Sequence, residues 1–125
     1  MNPIVEQGVI LTPETSQPIN ALPWRPHASC AGVYLKHLIT GAATHGQFSC
    51  HLVRVQAGYE IAEHTHPDHW ELHEIICGQG SGFLSGSELP YQAGRMVAIA
   101  PGEKHQVKAE GEDLYLWAKF VPALI

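Results

Sequence analysis

Short β-rich runs separated by turn residues follow one another along most of this chain, and their spacing constrains the fold more than any other feature. Turn pairs such as Thr40-Gly41 and Pro101-Gly102 end successive runs. Turns at intervals of roughly 8 to 12 residues are typical of β-sandwiches and barrels, and no run has the period of a long amphipathic helix. We therefore predict an all-β, antiparallel sandwich or small barrel. The predicted strands cover residues 33–39, 48–55, 72–77, 82–84, 96–100 and 114–121.

The first thirty residues differ from the rest because five prolines interrupt them. Proline lacks the backbone donor that a helix or a central strand needs. We predict an extended arm over residues 1–31, followed by a barrel over residues 32–125. The arm still contains the apolar stretch Val9-Ile10-Leu11, which is suited to pair as an edge strand with the barrel or with a neighbouring subunit.

The composition agrees with one compact domain. The chain has 125 residues, of which 45% are hydrophobic and only 15% are charged. An average globular protein has about 25% charged residues, and a chain of this length typically builds one core. Because so little charge leaves much apolar surface to cover, we expect a homodimer.

Charge and hydropathy argue against two classes of partner. The net charge is -5 and no Lys/Arg cluster is present to neutralise a phosphate backbone, so nucleic acid is not an expected partner. No apolar run reaches the ~18 residues of a membrane span, and the first residues lack the pattern of a signal peptide. We expect a cytoplasmic protein. Its three cysteines have no CxxC spacing and are expected to be free thiols.

Nine histidines outnumber the seven Lys and Arg residues, and three of them have a spacing that suits metal binding. On a strand, His64 and His66 share one face because they are two residues apart. After a turn the next run starts at Glu71, and an antiparallel return would set its carboxylate opposite the histidine pair. Two His and one carboxylate resemble the facial triad of a divalent metal site. His105, at the start of a later run, is the candidate fourth ligand.

These residues also carry a family resemblance. The first motif of the cupin superfamily is Gly, five residues, His-x-His, three or four residues, Glu, six residues and Gly. Every position of that motif is matched here, so the chain resembles a small bacterial cupin. The matching residues are Gly58, His64, His66, Glu71 and Gly78.

The second cupin motif is matched in part. Its pattern is Gly, five residues, Pro-x-Gly, two residues, His, three residues and Asn. Gly94, Gly102 and His105 fall in register, whereas Ala100 stands in place of the proline and Ala109 in place of the asparagine. Neither change removes a metal donor.

The resemblance covers roughly residues 47 to 121. It implies a cupin barrel, the double-stranded β-helix or jelly roll, of about six to eight strands. It also implies that His64, His66, Glu71 and His105 hold a divalent transition metal inside the barrel mouth, the ion being Fe, Mn, Zn, Ni or Co.

A second resemblance is narrower. Residues 70–76 and 116–122 look like the ligand-binding arm of AraC-type regulators, which are themselves cupins. Those regulators carry a helical DNA-binding domain after the cupin, and we expect this chain to act without one.

Three further side chains are candidates for the cavity. His73 lies two residues after Glu71 and therefore on the same face, where it would be a general base, a donor to a metal ligand, or a buried core histidine. Of these, the catalytic role is our prediction. His51 and Arg54 have opposite parity on their strand, so only one of them faces the cavity, and parity leaves both alternatives open. His27, His37 and His45 have no partner spacing and receive no role.

Together these features predict a metal-binding cupin with a small-molecule pocket at the barrel mouth. We expect a metal-dependent enzyme of the dioxygenase, isomerase, lyase or decarboxylase class that acts on a small organic acid or a sugar-like compound. The alternative is a non-catalytic binding or sensor protein.

Overall fold

The computed structural model describes residue 5 and residues 7–125, so that residues 1–4 and 6 of the predicted arm lie outside it. The described chain is mostly β, with one short helix, α1 (Gly41–Thr44), and one 3-10 turn at Ile19–Ala21. Its strands are β1 (Val9–Leu11), β2 (Ser16–Pro18), β3 (Arg25–Pro26), β4 (Val33–Ile39), β5 (Ser49–Val55), β6 (Glu60–His64), β7 (Trp70–Cys77), β8 (Gln79–Leu84), β9 (Ser87–Gln92), β10 (Met96–Ile99), β11 (His105–Ala109) and β12 (Leu114–Val121).

Two antiparallel sheets enclose the main core. The first has the strand order β10-β7-β12-β5-β4-β3, and the second has the order β6-β11-β8-β9. Val53, Leu116 and Phe120 of the first sheet belong to the same buried cluster as Ile61 and Val107 of the second. This arrangement confirms the predicted all-β double-stranded β-helix.

Period-two alternation explains which side chains reach the interior. In β7, Glu71, His73 and Ile75 are buried, whereas the residues between them are half-buried. In β5, His51 is fully buried, whereas Arg54 is half-buried and pairs with Asp113. Of the two residues that the sequence left as alternatives, His51 is therefore the one that faces the cavity.

The N-terminal arm covers the outer face of the larger sheet. Val5, Ile19 and Leu52 form a second buried cluster there, with Trp24 and Trp117 packed against it. Val9–Leu11 pairs with Ser16–Pro18 in a separate hairpin and not with the barrel, whereas its pairing with a neighbouring subunit stays a prediction. The pairing with the barrel is made instead by Arg25–Pro26, which lies beside β4.

Two local predictions also need correction. Strand β9 was not predicted, because Pro90 interrupts its β pattern; the proline is accommodated because β9 is an edge strand. The strand predicted over residues 82–84 begins earlier, since β8 starts at Gln79 and already includes Gly80. A Cβ at Gly80 would overlap the carbonyl of Lys108, so this glycine permits close approach of two backbones.

Within residues 5 and 7–125, the helical segments are too short to cross a bilayer.

Candidate metal centre

The four predicted ligand residues come together at one end of the barrel interior. His64 ends β6, His66 follows it, Glu71 lies in β7 and His105 begins β11. One donor atom from each residue lies within 4.8 Å of the other three. Their spacing is that of groups arranged around a single ion.

The route by which they meet differs from the prediction. His64 is the register partner of His105, because β6 pairs with β11. Glu71 does not lie on a strand beside the histidine pair, since β7 belongs to the other sheet. The carboxylate therefore reaches the histidines across the barrel interior rather than along a hairpin, and the prediction of neighbouring strands was wrong.

Backbone carbonyls orient two of the imidazole rings. His64 Nδ1 donates to the carbonyl of Ala62 at 2.8 Å, and His105 Nδ1 donates to the carbonyl of Glu103 at 2.9 Å. A carbonyl only accepts, so each Nδ1 carries the ring hydrogen. In the neutral rings, Nε2 then has a free lone pair, which is the form that binds a metal.

The buried atoms at the centre lack hydrogen-bond partners. Glu71 Oε1 and His105 Nε2 lie 2.9 Å apart, but they do not form a hydrogen bond with acceptable angles, and no other described group satisfies either atom. With the hydrogen of a neutral His105 on Nδ1, two lone pairs face each other, and a cation bound between or beside them would stabilise this arrangement. His66 Nε2 lies 3.6 Å from the same carboxylate oxygen. The residues present thus fit a bound metal ion.

Electrostatics favour the ligand form of three of these groups. Burial lowers the pKa of His64 and of His66, so both rings stay neutral near neutral pH. Burial alone would raise the pKa of Glu71, but His73 and His105 beside it lower that pKa well below its usual range. Burial also opposes protonation of His105, yet the Glu71 carboxylate 2.9 Å from its Nε2 leaves its pKa raised. The raised pKa of His105, like the unpartnered buried atoms, indicates that this centre favours a positive charge.

His73 lies behind the carboxylate of Glu71. Its Nε2 is 2.6 Å from Glu71 Oε2, and its Nδ1 is 2.8 Å from the hydroxyl of Tyr91. Because both ring nitrogens are engaged, the geometry favours the donor role among the three that the sequence left open. The catalytic assignment of His73 stays a prediction.

A cavity of about 400 Å³ adjoins the centre. His64, His66, Glu71 and His73 line one end of it, and His37 and His51 line another part. Sequence reasoning gave His37 no role, although its parity with Val33 and Leu35 in β4 indicates an inward-facing side chain. Its partner His51 is 14 residues away on the neighbouring strand, so no local spacing reveals the pair.

The fold and the site together define a small double-stranded β-helix protein with a candidate metal centre in its cavity. The family comparison agrees with that class: a model described as "Cupin domain" matches residues 51–118. The chain belongs to the cupin family.

Similar proteins extend the comparison. A relative named "Oxalate-binding protein" from Thermotoga maritima is 25% identical over 80 residues, which cover 63% of this chain and 66%, just under two thirds, of the relative. The crystal structure of a predicted oxalate decarboxylase from Thermotoga maritima has a TM-score of 0.77 and 22% identity, covering 82% of this chain and 95% of that one. An RmlC-like cupin from Shewanella frigidimarina has a TM-score of 0.72 and 16% identity, covering 84% and 87%. At these identities the two structures show the fold alone.

Proposed function

We propose that this protein is a metal-dependent enzyme that binds a small organic acid or sugar-like compound at the barrel mouth. The observation that carries the proposal is the unpartnered pair of buried atoms, Glu71 Oε1 and His105 Nε2, which face the same centre as the donor atoms of His64 and His66. Three nitrogens and one oxygen suit Fe, Mn, Zn, Ni and Co alike. When bound, such an ion supplies Lewis-acid or oxygen-activating chemistry.

The residues of this chain divide the work between them. His64, His66, Glu71 and His105 would hold the ion, and His73 keeps the Glu71 carboxylate in one orientation. Leu116, Ala118 and Phe120 form part of the cavity wall and exclude water from the space next to the centre. A four-ligand set leaves coordination positions for oxygen atoms of a bound molecule. Dioxygenase, isomerase, lyase and decarboxylase chemistry are all compatible with this arrangement.

A second function, binding without turnover, is supported by a different observation. The relative from Thermotoga maritima is named as a binding protein rather than as an enzyme. In that case the centre would hold an oxygen-bearing ligand as a sensor or carrier.

A turnover screen separates the two functions. Metal-loaded protein is incubated with oxalate, other small acids and sugars, and oxygen uptake and product formation are measured beside the thermal shift. If the protein is an enzyme, we expect it to convert at least one compound and His105→Ala to lose that conversion. Exposed His45→Asn is the matched control. A thermal shift without conversion of any compound that binds would instead establish the binding protein.

A further inference from the structure

A histidine pair lies on the cavity wall away from the candidate ligands. His37 of β4 and His51 of β5 are register partners, and their Nδ1 atoms lie 2.8 Å apart. His51 is only 1% exposed, whereas His37 is half-buried and lines the cavity. At that distance one Nδ1 must donate and the other must accept.

A chain of hydrogen bonds fixes which nitrogen donates. The amide of Leu124 donates to Ser49 Oγ at 3.0 Å, and Ser49 Oγ lies 3.0 Å from His51 Nε2. A hydroxyl can accept twice, but Ser49 is fully buried, and among the described residues the only acceptor within hydrogen-bond distance of its Oγ is His51 Nε2. The hydroxyl hydrogen therefore goes to His51 Nε2. His51 therefore carries its ring hydrogen on Nδ1 and donates it to His37 Nδ1.

His37 is the last ring in this series of hydrogen bonds, and the tautomer of His51 determines which nitrogen of His37 carries the hydrogen. A neutral His37 that accepts at Nδ1 carries its hydrogen on Nε2, and no described residue accepts a hydrogen bond from that atom. Burial lowers the pKa of His51 to about 4. Burial also lowers the pKa of His37, and the positive charge of Arg25 lowers it further. The pair thus offers the cavity one uncharged N–H donor.

An apolar part of the cavity wall lies between this donor and the candidate metal centre. The ring of Phe120 lies between the two groups, with its centroid 5.6 Å from that of His51 and 5.1 Å from that of His66. Leu35 and Val53 add to the apolar wall. The described lining includes neither lysine nor arginine. Arg25, whose charge acts on His37, is exposed and lies outside that lining, so no cation within the described cavity wall is placed to pair with a carboxylate.

We propose that the Nε2–H of His37 recognises an uncharged oxygen acceptor on a substrate whose other end binds the metal centre. The inference rests on the proposed function, because the metal centre anchors the first end. The substrate class is then an acid with a metal-chelating head, an apolar middle and a neutral carbonyl or hydroxyl oxygen beyond it. A second carboxylate beside His37 would lose water and gain only one N–H donor, so a diacid is disfavoured.

Three acids that share the same five-carbon 2-oxo acid chain and differ only in the groups on its far carbon test the proposal. Zinc-loaded protein is titrated calorimetrically with 2,5-dioxohexanoate, which has a ketone oxygen at the far end, with 5-methyl-2-oxohexanoate, which has a methyl group there, and with 2-oxoglutarate, which has a carboxylate. Zinc is chosen because it has no redox chemistry. We expect the diketo acid to bind about fivefold or more tightly than either of the others, the usual worth of one neutral hydrogen bond.

Variants of His37 separate recognition from structure. In His37→Phe the preference for the ketone over the methyl compound should disappear, with the affinity for the methyl compound unchanged within about twofold. His37→Gln keeps a donor near the Nε2 position and should retain part of the preference, and exposed His45→Asn should retain all of it. Equal loss of affinity for all three acids in His37→Phe, or a preference for 2-oxoglutarate in the wild-type protein, would overturn the inference.

The zinc content of each sample distinguishes a failure of the role proposed for His37 from a failure of the proposed metal centre. A protein that holds zinc but binds none of the acids, or binds the three equally, contradicts this inference and leaves the proposed metal centre intact. A protein that does not hold zinc removes the anchor of the substrate head and overturns both.

Discussion

At the scale of single residues, three of the four candidate ligands are oriented by the partner of their other polar atom. His64 and His105 direct Nε2 to the centre because their Nδ1 atoms donate to carbonyls two residues earlier in the chain. Glu71 divides its two oxygens in the same way, with Oε2 held by His73 and Oε1 left for the centre. The residues that orient the donors are therefore as much part of the site as the donors.

Loss of one imidazole should abolish tight metal binding. In His64→Ala we expect the affinity for zinc to fall by at least about a hundredfold, because one of four donors is removed from a buried site. Competition with a chromophoric chelator measures this affinity. His45→Asn, which changes an exposed histidine, should bind zinc as the wild-type protein does. Unchanged affinity in His64→Ala would exclude this residue from the coordination sphere.

The hydroxyl of Tyr91 should matter through His73. In Tyr91→Phe, His73 Nδ1 loses its 2.8 Å partner, and the orientation of the Glu71 carboxylate is held less firmly. We expect zinc affinity to fall by about tenfold, less than for the loss of a ligand. The same chelator competition tests this prediction, and an affinity equal to that of the wild-type protein would contradict it.

How far the sequence predicts the site depends on distance along the chain. The spacing His64-x-His66 and the motif positions Glu71 and His105 are local patterns, and they selected the four residues that the fold brings together. His37 was not predicted, because its significance comes from His51 on a neighbouring strand. Sequence spacing shows which residues share a face, but it does not show which strand lies opposite.

At the scale of secondary-structure elements, the same limit appears. The predicted strands 33–39 and 114–121 match the observed bounds, because turn residues flank an uninterrupted β-rich run. The division into two sheets was not predicted, since β6 and β7 follow each other in the chain yet belong to different sheets. Strand identity is a local property, whereas strand pairing depends on how the whole barrel closes.

Close packing between β8 and β9 links a glycine to the metal centre. A Cβ at Gly82 would overlap the ring of Tyr91. We expect Gly82→Ala to lower the free energy of unfolding by about 1–3 kcal/mol, as overpacking does, and to weaken zinc binding by displacing Tyr91 from His73. Chemical denaturation and chelator competition measure the two effects.

Gly111 provides the matched control for that substitution. No atom lies within contact distance of a Cβ added there, and its backbone is not in the left-handed region. Gly111→Ala should change the free energy of unfolding by less than about 0.5 kcal/mol. Equal effects of the two substitutions would show that the Gly82 contact does not limit the packing.

At the scale of the whole molecule, the stability of the metal-free protein should depend on pH through His51. Its pKa is lowered from the ordinary 6.5 to about 4 in the folded state. Between these values the unfolded chain binds the extra proton, so the free energy of unfolding falls as the pH is lowered. This residue alone should account for a loss of about 3 kcal/mol between pH 7 and pH 4.

Denaturation of His51→Gln at the same pH values isolates that contribution. His64 and His66 also have lowered pKa values and add to the slope in both proteins, so the difference between the two slopes belongs to the His51 position. Identical slopes would show that His51 does not stay neutral in the folded protein.

The assembly of the molecule stays a prediction. Trp70 and Val121 are register partners on β7 and β12, and both side chains are exposed, as is Met96 on the edge strand β10. These positions agree with the homodimer expected from the low charge of the chain. Sedimentation of the purified protein measures the oligomeric state.

The proposed function depends on one metal ion that His64, His66, Glu71 and His105 would hold. Elemental analysis of protein purified without chelator, repeated after incubation with Fe, Mn, Zn, Ni or Co, tests this most directly. The account predicts about one equivalent of transition metal per chain, reduced strongly in His105→Ala. Less than about a tenth of an equivalent in the wild-type protein, with no recovery on reconstitution, would contradict it.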